Sequence, residues 1–223
     1  MKPEFSNGAK SFGTGFFIVH QGNTFLVTAR HVVDDGLKPP NEQTRGSAIK
    51  IQIGCWSTGK DDGISFHEIE ISNPVSIFCK NENDIAVCPI PKEIALELKK
   101  KRVLIHSSSI FATEEDLKKF YPGLTVFICG YSEGSPKLEN ATPIPFMRQC
   151  VLSTPLSIPI SPPNMLGKDY AYLDGYALGG FSGSPVHMPQ CGLPPGGSIA
   201  ATPYWPQSIV GLVARRVITN EEK

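Results

Sequence analysis

Along most of this chain, short apolar runs rich in β-branched and aromatic residues are stopped by Gly, Pro, Asn or Asp. Runs of that length and composition read as strands rather than helices. "TGFFIV" and "TFLVT", separated by "HQGN", predict a hairpin. "AIKIQI" and "FHEIEI" alternate apolar with polar, so each strand offers one face to a core. "VSIFC" and "DIAVCPI" follow, with Asn-rich turn chemistry between them. The pattern then changes. "PKEIALELKKKRV" predicts a helix with Pro91 in its first turn. "ATEEDLKKF" predicts a second, shorter one with Thr113 as cap and acids in its first turn. Strands return with "GLTVFICG", "MRQCVLS", "DYAYLDGYA", "SGSPVHM" and "SIVGLVARRV". The expectation is an all-β protein of two halves, residues 1–90 and 122–223, joined by a helical linker over 91–121. Many short strands with this punctuation suit barrels or sandwiches.

The 223 residues are enough to bury roughly 70–75% of the unfolded surface. No disulfide or metal staple is needed for stability. Lys and Arg number 21, as do Asp and Glu. A balanced chain lacks the excess of cations that a general nucleic-acid binder uses to neutralise phosphates. The one cationic cluster, Lys99-Lys100-Lys101-Arg102, reads as the solvated end of a helix. None of the six cysteines lies within four residues of another, so there is no C-x-x-C zinc or redox motif. Cys88 and Cys129 lie in apolar runs, where a thiol acts as a small core side chain. The first residues lack the apolar stretch of a signal peptide, and no run approaches the roughly 18 apolar residues of a membrane span. The expectation is a soluble, reduced, cytoplasmic protein without a membrane partner.

Three places carry residues suited to chemistry. In "FLVTARHVV", His31 directly follows an apolar strand and a short polar step. A general base must be held rigidly yet stay reachable, and the end of a strand supplies both. Taken alone, His31 reads equally as a half-buried histidine satisfied by backbone. In "NDIAV", Asp84 precedes an apolar strand, where a carboxylate is buried and points sideways at an imidazole. Its work there is to accept the Nδ1 proton and fix the tautomer. Taken alone, it reads as an Asp in a turn. In "GGFSGSPV", Ser182 stands among Gly179, Gly180 and Gly183. Glycines let successive backbone N–H groups converge on one point, which an oxyanion requires. The N–H groups of Gly180 and Ser182 are the candidates for that hole. The order His, Asp, Ser puts the base and its partner in the first half and the nucleophile in the second. The reaction then belongs in the cleft between them.

Together, "GTGFFIV…FLVTARHVV", "NDIAV" and "GGFSGSPV" resemble the trypsin-like serine peptidases, in a style closest to the bacterial Deg/HtrA-type branch. The likeness spans roughly residues 11–216. It implies two antiparallel six-stranded β-barrels with the active site between them, a peptide or protein substrate, and no cofactor. It carries over His31 as base, Asp84 as its partner and Ser182 as nucleophile. It also implies a pocket floor at Tyr176, six residues before the nucleophile, and a wall at Gly211, Leu212 and Val213. No acid at Tyr176 and a bulky Val213 predict cleavage after small or medium apolar residues. Three features depart from the family. Phe181 replaces the usual Asp or Asn before the nucleophile, so activation through pairing of that carboxylate with a new N-terminus is not expected. Ser184, where Gly is usual, is a rival nucleophile. The loop "MPQCGLPPGGSIAATPYWPQ" is long, either a cover for the cleft or a plain insertion.

Two other readings stand beside this one. "GYSEG" matches the G-x-S-x-G elbow of α/β-hydrolases, which makes Ser132 an esterase nucleophile with Asp174 and His187 downstream. The elbow needs a helix straight after the serine, and the proline-rich "SPKLENATPIP" does not predict one. A fold of the same kind also holds a peptide without cutting it, as a latent or non-catalytic binding module. His187 and Cys191 lie four apart, but no further ligands of a closed zinc site are evident. His20, His67 and His106 read as surface or strand histidines.

Overall fold

The computed structural model describes residues 1–34, 46–58, 64–75, 77–78, 83–132, 143–161, 169–175, 179–190 and 206–214. The predicted hairpin forms as β2 (Gly15–His20) and β3 (Asn23–Thr28). Its two-residue turn, Gln21 and Gly22, has positive φ at both positions. That is the twist-matched turn of tight hairpins, and it pins the register at His20↔Asn23. β3 pairs on its other side with β7 (Ala86–Pro89), which pairs with β6 (Ile77–Phe78). β4 (Ala48–Thr58) and β5 (Ile64–Ser72) form a long hairpin, extended by β1 (Lys2–Phe5). The second half is one five-stranded antiparallel sheet. Its order is β11 (Leu173–Asp174), β10 (Phe146–Leu152), β9 (Thr125–Gly130), β12 (Pro185–Met188) and β13 (Ser208–Leu212).

Period-two patterning explains which faces are buried. In β4 and β5 the register Ile51↔Ile71 and Ile53↔Ile69 places four branched side chains on one face. All four are buried, in a core shared with Phe17, Leu26, Val32 and Cys88. The sheets of the first half therefore close over one core. Val126, Ile128, Cys150, Leu152, Phe181 and Met188 build a second on the other sheet. A third, smaller cluster has Phe16, Ile18 and Val27 from the first half and Ile209 from β13. β2 thus sends Phe17 into its own core and Phe16 and Ile18 toward the other half, by simple alternation.

The helices fall where the sequence places them. α2 (Lys92–Lys100) ends in Lys99 and Lys100, and its C-cap is Lys101. Pro91 sits at its N-cap, one position earlier than the sequence suggests, because a residue with fixed extended backbone also suits the step into the helix. α3 (Glu114–Leu117) has Thr113 as cap, in a capping box closed by Asp116. Two strands were not legible. β1 is polar at alternate positions and short. β8 (Ile105–Ser107) lies in the region read as purely helical and pairs parallel with β2. Among the described residues, strand pairing forms three open sheets and no closed barrel. β6 and β8 end one sheet and β1 and β5 another, so their edges stay apart. Among its described residues, "DYAYLDGYA" contributes Leu173 and Asp174 as strand. No helix among the described residues is long and apolar enough to cross a membrane.

Candidate active site

After Thr28 the chain makes one helical turn, α1 (Arg30–Val33), closed by the Asp34 N–H donating to Arg30 O at 2.8 Å. Val32 and Val33 are buried and anchor the turn, while the His31 side chain stays 37% exposed. Asp84 comes to it through strand pairing. β3 and β7 run antiparallel with Thr28 opposite Ala86, and two residues further on the Arg30 N–H donates to Asp84 O at 3.2 Å. The Asp84 side chain is 7% exposed and both its oxygens hold His31. The His31 backbone N–H donates to Oδ1 at 2.8 Å, and Nδ1 lies 2.6 Å from Oδ2. A carboxylate only accepts, so Nδ1 carries the proton and Nε2 presents its lone pair. A grip on backbone and ring together fixes both the position and the plane of the imidazole.

The glycine-rich stretch forms a tight turn. The Ser184 N–H donates to Phe181 O at 2.8 Å, with Gly183 at φ +85°. That φ is the requirement of the third position of a type II turn. A Cβ on Gly183 would collide with Thr14 O and Thr28 Oγ1 and come within 2.9 Å of the Ala29 nitrogen. The turn therefore packs directly on the segment that leads into His31. Gly13 closes the contact from the side. A Cβ there would sit 2.7 Å from the Val32 methyls and 3.1 Å from Ser182 O. Phe181 is fully buried in the second core, at 0% exposure, and fills the space with apolar contact. Ser182 is half-buried between these anchors. The Gly183 N–H is taken by Val213 O at 2.7 Å, and Val213 donates to Ser184 O at 2.8 Å. Among the described residues, the N–H groups of 180, 181 and 182 take no protein acceptor.

Rival nucleophiles fare worse. Ser184 is fully buried, and among the described residues its Oγ finds no hydrogen-bond partner. Ser132 is 3% exposed and follows β9, the middle strand of an antiparallel sheet, where the hydrolase elbow needs an exposed serine on a parallel one. The residues just after Ser132, from 133 to 142, lie outside the described ones. Burial raises the thiols of Cys129 and Cys150 above their ordinary value and that of Cys55 to about 11. They are thiols at neutral pH and poor nucleophiles. Among the described residues no cluster of three or more His, Cys, Asp or Glu is placed to hold a metal.

Of the pocket residues expected from the resemblance, Gly211, Leu212 and Val213 run as β13 and its continuation, and Val213 pairs with the Phe181–Ser184 turn. Tyr176 and Cys191 lie outside the described residues. A cavity of about 690 Å³ is lined by Phe12, Tyr131, Gly54, Phe66 and Glu68, among others, and none of His31, Asp84 or Ser182 lines it. Sequence reasoning did not single out Phe12, Gly13 or Thr14. The available signal was a small-residue step, "GTG", just ahead of an apolar strand.

Comparison with family models gives no match, and comparison with curated proteins likewise gives none. Among solved structures the chain is similar to the crystal structure of Deg5, at 16% identity and a TM-score of 0.44, over 78% of this chain and 67% of that one. Likeness at that level is too low to bear on activity.

Proposed function

We propose that the chain is a serine endopeptidase of two-barrel, trypsin-like architecture. The reading is supported above all by the double hold of Asp84 on His31, with Nδ1 2.6 Å from Oδ2 and the backbone N–H 2.8 Å from Oδ1. A buried carboxylate aimed at both groups of one half-exposed histidine has little structural purpose, because a surface histidine needs no such partner. In the proposed reaction Ser182 Oγ attacks the scissile carbonyl while His31 Nε2 takes its proton. The carbonyl oxygen gains the negative charge and is met by the N–H groups of Gly180 and Ser182. The C–N bond then breaks, and His31 returns the proton to the departing amine. Water attacks the acyl-enzyme, His31 takes its proton, and Ser182 is released with that proton restored. Substrate residues before the cut lie along Gly211, Leu212 and Val213, with Tyr176 as pocket floor, and a small or medium apolar side chain fits there.

A fluorophosphonate probe tests this. The wild type is expected to be labelled on Ser182. Ser182→Ala and His31→Ala are expected to lose labelling, and Ser132→Ala to keep it. Labelling lost only in Ser132→Ala would establish an esterase instead. A folded wild type that is never labelled would favour a binding module, or an enzyme awaiting an activator.

A further inference from the structure

The loop that carries the nucleophile is pinned by a residue outside the triad. We propose that Thr14 is a positioning residue that holds the oxyanion loop in its working shape, an inference that rests on the peptidase reading above. Thr14 is 3% exposed and uses every polar group it has. Its backbone N–H donates to Ser182 O at 2.8 Å. Its hydroxyl donates to Gly180 O at 2.9 Å and accepts the Tyr131 N–H at 3.0 Å. Its carbonyl accepts the Thr28 hydroxyl at 2.7 Å. One residue thus ties together the two ends of 180–182, the end of β9, and the strand that delivers His31.

The consequence for chemistry lies in the peptide planes. Gly180 is at φ +98° and has no Cβ to limit its rotation. Its N–H points usefully only while the flanking planes are held. The Thr14 hydroxyl fixes the 180–181 peptide plane through Gly180 O, and the Thr14 amide fixes the 182–183 plane through Ser182 O, so each of the two residues whose N–H groups form the proposed hole is held on its carbonyl side. Room for this hydroxyl is made by Gly130, where a Cβ would lie 2.9 Å from Thr14 Oγ1 and 3.1 Å from the Phe181 ring. Phe181 is apolar and forms no ion pair, so the hold on the loop comes from within the folded chain.

The test compares wild type, Thr14→Val, Thr14→Ala and Thr14→Ser. Loss of the hydroxyl is expected to slow fluorophosphonate labelling of Ser182 about 10- to 100-fold, less than the roughly 100- to 1,000-fold cost of removing an oxyanion donor outright. On a cleaved peptide, kcat is expected to fall by a similar factor with KM unchanged. Thr14→Ser, which keeps the hydroxyl, is expected to restore most of both. A purely structural role would lower the melting temperature without this split. Full-speed labelling in a folded Thr14→Val or Thr14→Ala overturns the inference. So does failure of both to fold, since that assigns Thr14 to stability alone. A wild type labelled elsewhere than Ser182, or not at all, overturns the peptidase reading itself and is distinguishable from either result.

Discussion

At the residue scale, the informative group is Asp84, because its two oxygens have separate tasks. Oδ1 positions the backbone of His31, and Oδ2 holds the ring N–H. Asp84→Asn separates them. An amide oxygen can still accept the backbone N–H, but the amide NH₂ then faces Nδ1 as a donor. The imidazole is forced into the other tautomer, with its proton on Nε2, where it cannot act as a base. The expected result is a kcat lower by about four orders of magnitude, with a melting temperature close to wild type. Steady-state kinetics beside a thermal melt check this, and a fully active Asp84→Asn would remove Asp84 from the mechanism. Phe181 is the complementary case. Its ring lies fully buried beside Ser182, and full burial of such a side chain contributes roughly 1.5–3 kcal/mol. The loop is anchored by apolar packing at the very place where a carboxylate would need a buried partner charge.

At the scale of elements, β8 and β12 meet through two histidines. The rings of His106 and His187 lie 6.0 Å apart, and Phe16 presents its ring edge-on to His106 at 6.5 Å. Burial lowers the pKa of both, and His187 is further lowered by its proximity to His106. The folded protein therefore binds these protons less readily than the unfolded chain, whose histidines titrate near 6.5. Stability from this contact is complete above about pH 6.5 and declines as pH falls below it toward the depressed folded values. The melting temperature is expected to drop between about pH 7 and pH 5, and His106→Gln with His187→Gln should flatten that slope. An unchanged slope in the double variant would locate the acid sensitivity elsewhere. The same pairing shows why β8 was hidden. "LIHSSSI" has no run of apolar residues, and it becomes a strand only because β2 offers a free edge in parallel register. Thr113 is the opposite case, since a capping box is complete within four residues and can be read directly.

For the whole molecule, the seam between the halves is an apolar joint built from both. Ile209 is 1% exposed and packs from β13 onto Phe16, Ile18 and Val27 of the other half. The Ala112 N–H donates to Ile209 O at 3.0 Å, so the linker region is tied to the same strand. Ile209→Ala is expected to cost roughly 2–5 kcal/mol. Because the loss falls on the joint, Ser182 labelling should fade on heating before far-UV circular dichroism does. Coincident loss of both signals would mean that the halves unfold as one. Much of the architecture is legible along the chain, because strand alternation, the Gln-Gly hairpin and the Thr113 cap are local and depend on neighbours a few positions away. The candidate residues His31, Asp84 and Ser182 are legible as types in suitable settings, since each sits at the edge of an apolar run. The pairing of Asp84 with His31 is not, because it depends on the β3–β7 register, and neither is the packing of the Phe181–Ser184 turn on the segment before His31. Nor is Thr14, whose importance consists wholly of contacts to residues far away in sequence, at 28, 131, 180 and 182. Periodicity reports which face of an element is apolar; which partner covers that face, and which hydroxyl meets which carbonyl, arises only when the sheets pack.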